Sequence, residues 1–359
     1  MYSEKNLIHG GDIYTDRGLN TGTPLLDFSA NLNPLGMPES VRQAAIQAIS
    51  ESEAYPDPLC RKLRDAIARK EGVPAERIVC GNGAADLLYR LVWEYKPKCG
   101  LVPAPTFAEY ELALRNAGAA VEIAPFFEEN GFVPNQEFIQ KIEDHVDIVF
   151  FCNPNNPTGL TVDQEYLRSL AEQCRQIGAL LVVDECFLCF VRGGEEKSAV
   201  PLLEEFENLL VLKAFTKLYA MAGLRLGYLL CSTGMQAERI AASGQAWSVS
   251  TPAQAAGIAA CGEAEFAERS QNYVAENREI LAEVLRECGA KVYPSEANYL
   301  FFRYQDVELP QKMLSSGILI RSCGNYHTLN AHYFRIAVRT SEENQKFAAA
   351  LRMVSAQKG

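Results

Sequence analysis

Three short apolar runs limit how this chain can fold. Ile148-Val149-Phe150-Phe151, Leu180-Leu181-Val182-Val183 and Leu209-Leu210-Val211-Leu212 are apolar at every position, so a strand made from any of them must be covered on both faces. Such strands belong in a parallel sheet with helices packed on either side. The surrounding sequence supplies the helices and further strands. Amphipathic patterns cover 41–49, 59–67 and 84–95, and strands are expected at 100–102, 120–123, 146–151, 179–183, 209–212 and 227–231. This alternation predicts an α/β fold with a doubly wound, mostly parallel sheet. Past Ser232 the pattern changes to a long helical stretch at 264–287, short strands near 299–303, 318–321 and 333–338, and a closing helix from Ser341. We therefore expect an N-terminal arm (1–35), a large α/β/α domain (36–235) and a smaller α+β domain (236–359).

The residues just past each apolar run carry the chemistry. In open α/β sheets, ligands bind in the crevice outside the carboxyl ends of the strands. The first run leads into Cys152-Asn153-Pro154-Asn155-Asn156-Pro157-Thr158-Gly159, where two prolines bar helix and central strand and impose a rigid turn. The second ends in Asp184. The third leads to Thr216-Lys217, with Arg225 eight residues on inside Gly223-Leu224-Arg225-Leu226-Gly227. A partly desolvated lysine beside a hydroxyl and a fixed cation suits covalent holding of a carbonyl cofactor that carries a phosphate. Gly81-Asn82-Gly83-Ala84-Ala85 opens a helix, and its glycines let backbone amides approach an anion at the favourable end of the helix dipole.

Composition narrows the function classes. At 359 residues the chain exceeds one ordinary core. With 34 basic and 45 acidic residues the net charge is −11, which opposes binding to nucleic acid or an anionic membrane through bulk charge. An anionic substrate must then be caught by local cations. No apolar run approaches the length of a membrane span, and the start MYSEKNLIHGGD lacks a basic-then-apolar signal pattern. The 11 cysteines form no even framework and lie mostly in apolar runs, so free thiols in the reducing cytoplasm are expected. Cys186-x-x-Cys189 has no second ligand pair, so we read it as buried packing and expect no metal.

Asn156, Asp184 and Lys217, in that order, resemble the pyridoxal-phosphate (PLP) enzymes of the aspartate aminotransferase fold, fold type I, from His9 to the C-terminal helix. The resemblance implies that Lys217 holds the cofactor covalently, that Asp184 pairs as an ion with the pyridine nitrogen, and that Asn156 donates to the ring hydroxyl. Phe107 would stack on the ring. Gly83, Ala84, Ala85, Thr216 and Arg225 would hold the phosphate, joined by Tyr55 of the neighbouring subunit of a homodimer. Two positions depart from the pattern: Ala214 stands where many relatives carry a phosphate-binding serine, and Phe187 where transaminases often carry a tyrosine.

By the same resemblance Arg335 grips the substrate's anionic group, with Arg321 a second cation and His9, before Gly10-Gly11, a third contact. Asn33, in the run Asp27-Phe28-Ser29-Ala30-Asn31-Leu32-Asn33-Pro34-Leu35-Gly36, is by the same resemblance a further substrate contact. That run, Phe187 and the ending Phe334-Arg335-Ile336-Ala337-Val338-Arg339 look like threonine-phosphate decarboxylases of cobamide synthesis more than histidinol-phosphate aminotransferases. The implied reaction is decarboxylation of L-threonine O-3-phosphate to (R)-1-aminopropan-2-yl phosphate. Transamination of a phosphate-bearing amine stays open, because the sequence does not fix which bond at the α-carbon breaks. A non-catalytic sensor of the same fold would carry a DNA-binding module, for which the roughly thirty residues before the core are too few.

Overall fold

The three apolar runs lie side by side at the centre of a seven-stranded sheet. The computed structural model describes residues 9–14 and 25–356. The sheet's strands are β1 (Ile78–Gly81), β2 (Cys99–Ala104), β3 (Ala120–Pro125), β4 (Ile148–Cys152), β5 (Leu180–Asp184), β6 (Leu209–Ala214) and β7 (Gly227–Cys231). Their order is β1-β7-β6-β5-β4-β2-β3. Only β7 runs antiparallel to its neighbours. Every residue of β4 and β5 is buried, as their unbroken apolar runs require. From β2 the chain moves outward to β3 and then crosses back to β4 on the other side, so a crevice opens at the carboxyl ends of β2 and β4.

Local signals delimit the crossover helices. Gln164–Ile177, between β4 and β5, starts where the Asp163 carboxylate accepts the Tyr166 N–H, and stops at Gly178 in the left-handed region (φ 75°). Its face of Leu167, Leu170, Ala171 and Cys174 is buried. A second, antiparallel sheet takes Arg321–Ser322, Tyr333–Ala337, Tyr299–Arg303 and Lys291–Val292 in that spatial order. Helix Ala264–Glu287 packs on the closing helix Ser341–Ala356 beside it.

The strand expected across 318–321 is divided between two sheets. Ile318–Leu319 pairs in parallel with Leu26–Asp27, while Arg321–Ser322 pairs with Tyr333–Ala337. Helices Gly234–Ala242 and Thr251–Cys261 pack on helices Ala84–Tyr95 and Glu39–Ala48 of the larger layer. We therefore draw the smaller unit from about Ala264, not from 236. The sequence pattern changes at 232 because β7 completes the large sheet there, and two more helices still return to cover it. Among the described residues, no helix is long and apolar enough to cross a membrane.

Glu128, in the turn after β3, joins the two units. Its carboxylate accepts from Lys291 Nζ (2.7 Å), Tyr293 OH (2.5 Å) and Tyr333 OH (2.7 Å), all on the small-sheet side. Phe132 inserts beside it, edge-on to Tyr293, Phe301 and Tyr333. These donors, Lys291 first and then Tyr293, hold the Glu128 carboxyl at about 2 against an ordinary 4.5. A carboxyl depressed in the folded state contributes fully above its unfolded value, and the contribution fades as pH falls from about 4.5 towards 2. Glu128→Gln should lower stability at neutral pH by about 1–3 kcal/mol. In denaturant titrations the deficit should shrink across that acid window; an equal deficit at pH 7 and pH 3 would show that the charge contributes nothing.

Candidate active site

Helix Ala84–Tyr95 begins at Gly83 (φ 85°) with no side chain capping it, so its first amides are left for another acceptor. A Cβ on Gly83 would come within 2.5 Å of Arg225 Nη2, which places the guanidinium directly over this glycine. Gly227 is needed equally, since its Cβ would lie 2.5 Å from the Ala84 nitrogen. Asp86, the acid of the first turn, is tied to Arg90 (2.7 Å) and to the Asn82 N–H (2.8 Å). Thr216 is buried immediately before Lys217. The helix amides and the Arg225 guanidinium converge at Gly83 as donors suited to a phosphate. Ala214 adds no donor to them.

Lys213 and Lys217 are four residues apart in opposite electrostatic settings. Lys213 Nζ lies 2.7 Å from Glu71 and 3.5 Å from Glu185, and Tyr228 OH donates to the other Glu71 oxygen at 2.6 Å. Burial alone would lower its pKa, but the two carboxylates outweigh burial and hold the ammonium above its ordinary range. Lys217 is pushed the other way. Burial lowers it most, the charges of Arg335 and Arg225 add to that, and Cys186 and Asp184 only partly oppose it. Of the two, Lys217 is the amine whose surroundings favour the neutral form.

Asp184 closes β5 with both oxygens engaged: Oδ1 accepts the Cys186 N–H (2.9 Å) and Oδ2 accepts Tyr110 OH (2.6 Å). Tyr110 is fully buried, stacked on Phe150 and edge-on to Phe107. Burial, reinforced by Asp184, pushes its hydroxyl well above the usual range, so it remains a donor. Sequence reasoning missed this residue. The signal was its place three positions after Phe107, entering helix Glu109–Asn116.

Asn155 ties the Asn-Pro turn to the segment carrying Phe107, donating to Pro105 O (2.9 Å) and accepting from Thr106 Oγ1 (2.8 Å). Asn156 is buried and its Oδ1 accepts from Arg335 Nη1 at 2.5 Å. Phe187 lies 5.5 Å from Lys217 Nζ and edge-on to Tyr299, adding no hydroxyl. Burial pushes the Cys186 thiol up and the Cys189 thiol to about 12, so both favour the protonated form. All 11 cysteines are free.

Arg335 is buried, donates through Nη2 to Ser29 O (2.7 Å), and keeps an unpartnered Nε. Strand register puts Arg321 directly opposite Arg335, so both guanidiniums leave the same face of the small sheet. Arg321 bonds Asn325 (2.9 Å) and lies over the Tyr326 ring. Like charges placed opposite each other are destabilising unless an anion joins them.

Asn33 is placed otherwise than expected. Its Nδ2 donates to Leu218 O and Ser270 Oγ (both 2.7 Å), Oδ1 accepts from Leu35 N, and its own N–H donates to Lys217 O. With those groups engaged it positions the backbone of the lysine and does not offer a hand to substrate. His9 Nε2 bonds Glu109 (2.6 Å), with its ring 5.5 Å from that of Phe107. Behind it, Gly10 passes so close to Ser29 O that a Cβ would lie 2.3 Å away. Tyr55 is exposed and stacked on Trp247.

These residues fit PLP: an anion cradle at Gly83 and Arg225, an amine of lowered basicity at Lys217, a carboxylate at Asp184 and an aromatic face at Phe107. Comparison with known proteins agrees. Residues 23–351 match the model of the family described as aminotransferase class I and II. The threonine-phosphate decarboxylase of Salmonella typhimurium is 35% identical over 354 residues, 97% of each chain. The histidinol-phosphate aminotransferase of Methanosarcina mazei is 31% identical over 333 residues, covering 91% of this chain and 87% of that protein. Among solved structures, the histidinol-phosphate aminotransferase from Clostridium acetobutylicum superposes with a TM-score of 0.87 at 28% identity, covering 93% of this chain and all of that one.

Proposed function

Because the chain belongs to the aminotransferase class I and II family and is a PLP-dependent enzyme, we propose that it decarboxylates a phosphorylated α-amino acid, with L-threonine O-3-phosphate yielding (R)-1-aminopropan-2-yl phosphate for cobalamin synthesis. The observation that carries this reading is the cross-strand pair Arg321 and Arg335, two forks on one face whose mutual repulsion a doubly charged phosphate relieves. The extent of likeness to the Salmonella decarboxylase supports it.

Bound PLP supplies an electron sink for whichever bond at the substrate's α-carbon stands perpendicular to its ring. The protein's residues choose that bond. Asp184, held by Tyr110 and the Cys186 amide, would be the carboxylate for the pyridine nitrogen, and Asn156 would be the donor for the ring hydroxyl. With Arg321, Arg335 and His9 on the phosphate, the substrate carboxylate lacks a guanidinium and is the group released as carbon dioxide. Lys217 Nζ then returns a proton to the α-carbon. Were Arg335 to hold the carboxylate instead, Lys217 Nζ would remove the α-hydrogen and transamination would result. The likeness to histidinol-phosphate aminotransferases favours that second reading.

One assay separates them: carbon dioxide release from phosphothreonine against amine transfer from histidinol phosphate to a keto acid. We expect release to dominate; keto-acid-dependent transfer without carbon dioxide would overturn the proposal. We further propose a cytoplasmic homodimer in which Tyr55 of a second copy completes the phosphate cradle.

A further inference from the structure

We propose that Cys99, Glu122 and His145 form a binding site for a borderline divalent metal ion of the zinc type, at the end of the large sheet opposite the cofactor crevice. Cys99 opens β2 and Glu122 is the third residue of β3. Cys99 pairs with Ala120 and Leu101 with Glu122, so Cys99 and Glu122 are diagonal neighbours on one face. His145 reaches them from the segment that leads into β4. One ligand atom from each, a thiol sulfur, a carboxylate oxygen and an imidazole nitrogen, lies within 4.8 Å of the others. A tetrahedral zinc ion, with bonds of about 2.3 Å to sulfur and about 2.0 Å to nitrogen or oxygen, needs its ligands roughly 3.3–3.6 Å apart. Glu122 and His145 are half-exposed at 46% and 49%, so their side chains are free to close that gap.

Two further features favour a cation here over a mere surface cluster. His145 holds Nε2 2.7 Å from Glu122, and the Glu143 carboxylate stands 4.0 Å from Nδ1, beyond hydrogen-bond reach but adding negative charge beside the imidazole. Glu122, Glu143 and Asp147 crowd this corner, and among the described residues no lysine or arginine ion-pairs with any of them. A metal-bound cysteine is a thiolate, so binding exchanges a proton for the metal: the S–H bond breaks, the proton goes to solvent, and a metal–thiolate bond forms with no change of oxidation state. The ion would clamp edge strand β3 to β2 and to the segment before β4. The length of β2 separates it from the crevice, about 17 Å of strand.

The test uses the holoenzyme, treated with chelator, dialysed and titrated with Zn²⁺ and separately with Co²⁺. We expect one equivalent bound at micromolar Zn²⁺, a cobalt–thiolate charge-transfer band, a higher Tm with Zn²⁺, and unchanged turnover. His145→Ala should weaken binding at least about tenfold. Cys99→Ser should abolish the cobalt band. His145 is exposed, so its variant remains informative even if Cys99→Ser misfolds. No uptake at micromolar Zn²⁺, or uptake unchanged in either His145→Ala or Cys99→Ser, would overturn the site.

Discussion

Lys217→Ala should lose turnover by at least about 10³-fold, the loss expected when one amine is both covalent anchor and proton carrier, as we propose for Lys217. Borohydride should fix the cofactor to Lys217 in the parent protein and to no residue in the variant. The informative partner is Lys213→Met. That change leaves Glu71 and Glu185 buried without their cation, so it should destabilise the fold by about 3–5 kcal/mol while the label stays on Lys217. Peptide mapping that finds the label on Lys213 would reverse the assignment. It would also contradict the ion pairs that hold the Lys213 ammonium charged.

Arg321→Ala should lower kcat/KM for phosphothreonine about ten- to a hundred-fold more than for threonine, as expected for one lost charge-assisted contact of about 1.5–3 kcal/mol. Arg335→Lys should fall with both substrates, because a lysine cannot replace a fork that also bonds Asn156 Oδ1 and Ser29 O. Equal losses for the two substrates in Arg321→Ala would make that residue structural, and a general amino-acid transaminase would become the better reading.

Much of this site was legible because its residues sit at the ends of strong local patterns. Asp184 and Lys217 come within a few residues of fully apolar strands, and the prolines mark the turn that presents Asn156. What could not be read depends on register and long-range packing. No local pattern reports that Tyr110 bonds a carboxylate 74 positions away, or that Asn33 grips the backbone at 217 and 218 instead of a ligand. The pairing of Arg321 with Arg335 is fixed by a break at Ile320 that sends Ile318–Leu319 to Leu26–Asp27, and such a break leaves no signature in hydropathy. The boundary drawn at 236 failed to foresee two helices that turn back onto the larger layer, since helix periodicity says nothing about which surface a helix will cover.

The stretch from Leu26 to Asn33 links the sheet that carries Arg321 and Arg335 to the backbone of Lys217. At one end it pairs with Ile318–Leu319, and Phe28 O accepts from Ala337 N, so it is fastened to the sheet that carries both arginines. Ser29 O receives Arg335 itself, and four residues later Asn33 clasps the backbone of Lys217. An extended chain advances at most about 3.3–3.6 Å per residue, so this short tether caps how far the anion forks can stand from the reactive amine. The distance from the paired guanidiniums to the Lys217 amine is thereby tied to the length of this segment, and inserting a residue between Ser29 and Asn33 should change it, which kcat/KM measured over phosphorylated substrates of increasing chain length would report.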